Sequence, residues 1–470
     1  MSRIAATVSS FQQMLLNQLE RHRQASAQAS FRLTTGSLVN FPSDDPSAFL
    51  HIQLLQHQQG TVQDVARNID AAATIAAESQ TTLDEIQTQL DTIETQLLLD
   101  EEGDLTPAER NVAQTAIDQS LATIRELVRT PVNGVRYLDG SVDYSTSGKN
   151  AAQIRQLDVF SLDGETSLSG TVSSAATQAS VTYTGGGGSV INSGDATFTL
   201  TGQRGATAVG VTNGEPLTAV RDRINADSHD TGITASVAGN NLVLTSVDYG
   251  TNAVIDIELA SGSFTTAGST AGTDAAVTLN GTAISADDVD GNTVSFHEQG
   301  VHVQLELVAG YTGAISSITL SSERAARFAI SPRAGEHTAL FAVGGLFPEQ
   351  LGGLSGMLSD LESGGDLDGL ASHTAQALRV VQEARDRLTL AKGRVDAFAE
   401  ITIASAGRWM DGWDTNLEDA LTAANGIEEE AELVNQSRYE SLATNAITSL
   451  AISQQYQASL VALLQNIAGL

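Results

Sequence analysis

The chain has 470 residues, 56 acidic side chains against 24 basic ones, a net charge of −32 and no cysteine. So acidic a chain lacks the basic stripe that nucleic-acid phosphates require, and its only lysines, Lys149 and Lys392, make no polybasic cluster for anionic lipid. Zero cysteines exclude disulfide scaffolds, zinc–thiolate sites and cysteine nucleophiles, and no apolar run reaches the about 18 residues of a membrane span.

Residues 1–40 read as an amphipathic helix with Phe11, Leu15, Leu16 and Leu19 on its stripe. No apolar signal-peptide core or cleavage signature is present there, which leaves a cytosolic protein or one exported by a signal-peptide-independent route. Asp44 and Asp45 precede Pro46. As neighbours they could act as a catalytic carboxylate pair, but a turn and a helix cap, with Ser43 or Asp45 near the N-cap, fit adjacent residues better. Leu83, Ile86, Leu90, Ile93 and Leu97 then alternate by three and four, the seam of a coiled coil. An acidic turn follows at residues 100–104. Thr106-Pro107 opens a second helix in the cap-then-proline order, with seam residues Ile117, Leu121, Ile124 and Val128. It stops before Pro131 and the turn Asn133-Gly134.

Residues 141–325 change character, becoming rich in Gly, Thr, Ser and Val. Alternation predicts strands at Ala196–Leu200, Asn241–Thr245, Val277–Leu279 and Val301–Leu307, with one short helix over Pro216–Asn225. Gly185–Gly188 reads as a flexible connector or a hairpin tip. His297-Glu298 with His302 resembles a helical zinc-protease motif, but the histidines are five apart rather than four. On a strand that odd spacing would send the rings to opposite faces, away from a shared metal. Asp288-Val-Asp290-Gly-Asn292 resembles part of a calcium loop. With Gly291 at its sixth place the first and twelfth positions are Ala286 and His297, which leaves an acidic β-turn.

The helical pattern returns in the last 120 residues. Val381, Ala384, Leu388, Ala391, Val395 and Phe398 repeat the seam, so this helix is expected to lie along the N-terminal hairpin. Trp409 and Trp413, four apart on one helix face, read as core packing rather than a partner patch. Residues 431–470 carry a second terminal stripe, Leu450, Leu460, Leu463, Leu464 and Ile467. Either the two terminal stripes pair within one subunit or they are buried between subunits; stripes at both chain ends favour assembly.

Three motifs carry a family resemblance. Phe31-Arg-Leu-Thr-Thr-Gly-Ser-Leu-Val-Asn40, followed by Pro42-Ser-Asp-Asp-Pro46, resembles the N-terminal signature of bacterial flagellins and the related hook–filament junction protein. Asn133-Gly-Val-Arg-Tyr-Leu-Asp-Gly140 resembles that family's asparagine-glycine turn, with Val132 in place of its aromatic. Glu432-Leu-Val-Asn-Gln-Ser-Arg438, through Ser449-Leu-Ala451 to Leu460-Val-Ala-Leu-Leu464, follows the flagellin C-terminus without a gap. In the middle, Leu217–Asn225, Gly232–Val237 and Leu242–Ser246 resemble the hook IN module, and Arg327–Glu336 resembles a β-hairpin of the flagellin inner domain.

The resemblance implies an α+β fold: a long antiparallel coiled-coil rod built from both chain ends, with a β-rich inserted outer domain. Residues 1–42 and 430–470 would be terminal polymerisation helices, 43–140 and 325–429 the rod, and 141–324 the insert, with a hook IN-like module near 194–260. It implies a structural subunit of the extracellular flagellum, with no cofactor and no catalytic site. Its partners would be its own copies, hook-associated and cap proteins, the type III export apparatus and an export chaperone, but neither nucleic acid nor membrane. The assembly residues it implies are Phe11, Leu15, Leu19, Leu33, Asp44, Asp45, Asn133, Gly134, Arg438, Leu450, Leu460 and Leu464. The flanking Pro42 and Pro46 look more like the junction protein; the turn after Gly134, the ungapped C-terminus and the large insert look more like flagellin. An enzyme carried by the insert is the contrasting possibility, and no intact catalytic constellation supports it. Where many flagellins carry an arginine-rich stretch read by a host innate-immune receptor, this chain has Thr92, Ile93, Glu94, Thr95 and Gln96, which implies poor recognition.

Overall fold

Three helices fill the N-terminal flank: α1 (Ser2–Thr35), α2 (Pro46–Leu98) and α3 (Pro107–Arg129). They belong to a computed structural model that describes residues 2–99, 105–162, 164–264, 268–298, 300–333, 337–368 and 370–468. The acidic turn expected at residues 100–104 lies outside the described residues. Local chemistry sets the helix starts. Asp45 Oδ1 accepts from the amides of Ser47 and Ala48 at 2.9 and 3.0 Å, and so caps α2. The Ala48 amide and the Ser47 hydroxyl hold the Asp45 carboxyl below its ordinary value. Asp44 instead closes the preceding turn, accepting from the amides of Asn40 and Phe41, both at 3.0 Å. The two aspartates therefore divide a turn and a cap between them. Thr106 opens α3 with a reciprocal capping box to Glu109, and Pro107 occupies the first turn, where its missing N–H costs nothing. Beyond α3, Asn133 (φ 51°) and Gly134 (φ 82°) form a two-residue turn, closed by Val132 N–H to the Val135 carbonyl at 2.8 Å.

The middle of the chain is antiparallel throughout. A five-stranded sheet takes the order Ser145–Ser147, Gly313–Ser321, Glu165–Ser174, Ala276–Leu279, Thr282–Ala283. A four-stranded sheet takes the order Val289–Asp290, Thr293–Glu298, Val301–Leu307, Ile154–Leu162. One core joins both, with Ile154, Leu168, Val294, Val303, Ile318 and Leu320 at its centre. A second core belongs to residues 179–264. There the strands Ala196–Thr201 and Asn241–Ser246, in two separate sheets, enclose α4 (Leu217–Ala226), whose Leu217, Val220 and Ile224 are fully buried beside Phe198 and Tyr183. A one-turn helix α5 (Ser228–Thr231) follows, ended by Gly232 in the left-handed conformation.

In this region one pair of alternatives is resolved and one expectation changes. Gly185–Gly188 is the hairpin tip and not a loose connector. The Gly185 amide donates to the Asn240 carbonyl at 2.7 Å, Gly186 pairs with Val190, and a Cβ on Gly185 would sit 2.6 Å from the Val190 carbonyl oxygen. His297 and His302 do not point to opposite faces. They stand directly opposite each other on the paired strands Thr293–Glu298 and Val301–Leu307, with ring centroids 4.1 Å apart. The five-residue spacing spans a hairpin turn, so strand alternation along one segment does not apply to it. Among the described residues, no group of three His, Asp or Glu side chains is arranged to hold a metal.

After the hairpin Ala326–Ala329 with Thr338–Phe341 the chain returns to helix: α6 (Leu370–Asp396), a π-helical segment Ala397–Ile403, α7 (Ala404–Asn425) and α8 (Glu429–Ala468). On α6, Val381, Ala384, Leu388, Ala391 and Val395 are buried, as are Leu83, Ile86, Leu90, Ile93 and Leu97 on α2 and Ile117, Leu121, Ile124 and Val128 on α3. The α2 seam extends further back than its leucines and isoleucines suggest. Ser79, Ala76, Ala72, Ile69 and Val65 continue the three–four alternation and are buried. Ser79 satisfies its hydroxyl there by donating to the Ile75 carbonyl at 2.7 Å. Lys392 pairs with Asp84 at 2.9 Å, Arg385 with Asp91 and Glu94, and Gln80 donates to Asp396 at 2.6 Å. These partners run in opposite directions along the two helices, which makes α2 and α6 antiparallel. Half-exposed ion pairs of this kind contribute at most about 1 kcal/mol each. The apolar seams hold the helices, and the charges select the register.

The described chain forms two compact units: Met1–Asn68 with Ile330–Glu336 and Ala406–Leu470, and Ile69–Ala329 with His337–Ser405. No described helix is long and apolar enough to cross a membrane.

Candidate assembly surface

Within the first unit α1 and α8 pack antiparallel. Gln12 donates to Gln457 at 3.0 Å, the His22 and Tyr439 rings stack at 6.4 Å, and Arg32 faces Glu432 at 3.7 Å, so numbers rise on one helix as they fall on the other. At the closed end Leu38 N–H donates to the Asn425 carbonyl at 2.8 Å and Val39 N–H to the Asn425 side chain at 2.7 Å, pinning the segment after α1 to the end of α7. The intramolecular reading of the terminal stripes is therefore realised.

It does not use up the stripes. Close approach is made by small residues, Ala29 on α1 and Ala443, Ala446 and Ser453 on α8, which are buried together with Leu15. The larger side chains lie outside that line. Phe11 is 48% exposed and Leu460 46%, and Leu16, Leu433, Val434, Ile447 and Val461 are comparably open. Phe11, Ile452, Tyr456 and Leu460 line an apolar groove of about 430 Å3 along the pair. A contiguous apolar patch of this kind on a monomer marks an interaction surface.

The expected assembly residues are thus split. Phe11 and Leu460 meet at the groove, and Leu15 is buried. Leu19, Leu33 and Leu450 are half-buried on the same two helices, and Arg438 also lies on α8. The Leu464 side chain lies outside the described residues. Asp44 and Asp45 form the turn and cap already described, and Asn133 and Gly134 are exposed in a turn of the other unit. Sequence reasoning missed Leu433, Val434 and Ile452. Their signal was present, because α8 carries apolar residues round its whole circumference, the pattern of a helix that is covered on all sides. Trp409 and Trp413 also depart from expectation: Trp409 is 71% exposed, and both stand outside the core because α7 buries Ala406 and Met410 instead.

Comparison with known proteins gives the context. The bacterial flagellin N-terminal helical region matches residues 8–143, and the flagellin hook IN motif matches residues 197–248. No curated protein matches the sequence. Among solved structures, the D2–D3 domains of the flagellar cap protein FliD from Escherichia coli are 20% identical over 38% of this chain and 98% of that one, with a TM-score of 0.29. FlgL from Xanthomonas campestris is 8% identical over 80% of this chain and 99% of that one, with a TM-score of 0.25. Flagellar hook associated protein-3 from Legionella pneumophila is 11% identical over 88% and 99%, with a TM-score of 0.22. Overlap at those scores carries no argument about role. The N-terminal flank thus carries the bacterial flagellin N-terminal helical region, and the β-rich middle carries the flagellin hook IN motif.

Proposed function

We propose that this chain is a flagellin, a structural subunit that polymerises through α1 and α8 into the extracellular flagellar filament. The observation that carries the reading is the apolar surface left open after α1 and α8 have paired, centred on Phe11 and Leu460. A filament subunit needs such a surface at both chain ends, because a contact that repeats without closing on itself generates a helix of subunits. In this reading residues 1–42 and 430–470 assemble, and 43–140 with 325–429 form an antiparallel coiled-coil rod. Residues 141–324, with the hook IN-like module near 194–260, face solvent. The unbroken seam from Val65 to Leu97 and the antiparallel ion pairs to α6 support the rod. Copies of the chain, cap and hook-associated proteins, the export apparatus and an export chaperone are its proposed partners. The hook–filament junction protein is the second reading, favoured by the proline-flanked segment in which Asp44 closes a turn and Asp45 caps α2.

Electron microscopy of concentrated protein separates these readings, set beside a truncation lacking residues 1–40 and 431–470. Long filaments from the full chain and none from the truncation support flagellin. A full chain that stays monomeric but forms a short ring on isolated hooks supports the junction protein instead. Filaments from the truncation would overturn both.

A further inference from the structure

Four of the chain's 24 cationic side chains, Lys149, Arg155, Arg387 and Arg394, line a single open cavity of about 290 Å3. It lies between the strand Ile154–Leu162, the loop 343–351 and one face of α6. Arg387 and Arg394 are seven residues apart, two turns of α6, and so project from the same face. In a molecule with a net charge of −32 this is an unusual place to concentrate positive charge.

The protein's own carboxylates leave these cations incompletely matched. Arg155 and Arg387 share one carboxylate, Glu306, at 2.9 and 3.7 Å. Among the described residues Arg387 also makes a long contact, 3.4 Å to the Gln350 carbonyl, and feels the charges of Asp158 and Glu383 without an ion pair to either. Arg394 is nine-tenths buried, with Nη2 3.2 Å from Asp158, Nη1 3.1 Å from the Val343 carbonyl and its plane over the Phe160 ring. Its Nε is buried without a hydrogen-bond partner among the described residues. Lys149 is exposed and donates to the Arg155 carbonyl at 3.0 Å, with no ion pair among the described residues. Asp143, the remaining acid at the cavity, forms no ion pair among the described residues, and burial pushes its carboxyl toward the neutral form. Buried guanidinium groups with spare donors are costly unless something accepts from them.

We propose that this cavity is a binding site for a small multivalent oxyanion of the phosphate or dicarboxylate class. Two or three oxygens on one compact centre would take the unused donors of Arg387 and Arg394 together with the Lys149 ammonium, a geometry that guanidinium forks favour and chloride cannot supply. The bound anion would tie the base of the β-rich insert to α6. Its volume suits the site, which has room for such an anion and several waters.

The test is thermal unfolding of the dilute full-length protein, titrated with sodium phosphate, with malonate, and with sodium chloride at matched ionic strength. The expected result is a saturable rise in Tm with phosphate or malonate and only a weak, non-saturating response to chloride. Saturation by phosphate alone assigns a tetrahedral anion, and saturation by malonate alone a dicarboxylate. Arg387→Gln should move the half-saturation point up by about tenfold, the loss of one charge-assisted bond pair, and Lys149→Gln by a smaller factor. If Arg387→Gln does not fold, Lys149→Gln decides, because that side chain is exposed and holds only a carbonyl. Equal responses to phosphate, malonate and chloride, or unshifted titration curves in the folded variants, would overturn the proposal.

Discussion

Leu90 on α2 and Leu460 on α8 are the same residue on two long helices, and the two units treat them oppositely. Leu90 is fully buried and Leu460 is 46% exposed. Both helices have a neighbour inside the chain, so the presence of a partner does not explain the difference; the kind of residue at the contact does. The α2 and α6 seams bury large side chains, Leu90 and Ile93 on one and Leu388 and Val395 on the other. The α1–α8 pair buries mostly small residues, Ala29, Ala443, Ala446 and Ser453 with Leu15, and leaves large side chains such as Phe11, Leu16, Ile447 and Leu460 open. A helix pair of the first kind is complete in one subunit. One of the second kind is held together yet keeps an apolar surface for something else.

The sharpest way to break this contrast is a pair of matched truncations. Leu90→Ala is expected to cost about 2–5 kcal/mol of unfolding free energy through lost burial and a cavity, read by urea denaturation. Leu460→Ala should change monomer stability by less than about 0.5 kcal/mol while raising the concentration needed for filament growth, followed by light scattering. Similar stability losses in the two variants would mean that α8 is as closed as α2. Between those extremes, Thr106→Ala removes the α3 capping box and should cost about 1 kcal/mol without touching assembly.

The smallest expected effect is a pH dependence. Burial raises the Asp118 carboxyl, but the Ser363 hydroxyl at 2.6 Å, the Ser363 amide at 3.0 Å and Gln114 outweigh it, leaving its pKa below the ordinary 3.8. A depressed carboxylate contributes stability above its unfolded pKa and loses it as pH falls through the folded one. Asp118→Asn should therefore be less stable than the native chain at neutral pH and converge with it in acid below pH 3.8. Parallel melting curves across that range would remove the Ser363 contact from the account. The host-receptor expectation sharpens the α2 side of the comparison. The segment Thr92–Gln96 contains no arginine, Ile93 is buried and Glu94 pairs with Arg385, so a receptor-binding titration should show weak potency relative to typical flagellins.

Local rules made much of the molecule legible. The Asp45 cap, the Thr106-Pro107 start, the Asn133-Gly134 turn and the strands around Phe198 and Val303 follow from residues a few positions apart, whose conformational preferences act before any tertiary contact. The seam was partly legible. Its leucines and isoleucines stood out, while Ala72, Ala76 and Ser79 looked neutral although the spacing already included them. The histidine pair was misread because a hairpin turn replaced strand alternation with cross-strand pairing.

The amino-acid order by itself determined that this is an acidic, cysteine-free α+β protein with helical flanks, a β-rich middle and two apolar chain ends. Only the tertiary structure decided which side of α8 closes on α1 and which stays open, because α8 spreads its apolar residues round the helix among polar ones and no single face stands out until a neighbour selects one. It also decided that Lys149, Arg155, Arg387 and Arg394, separated by up to 245 positions, share one cavity. Charges so far apart in sequence carry no local signature, and only the packing of the insert base on α6 brings them within reach of one anion.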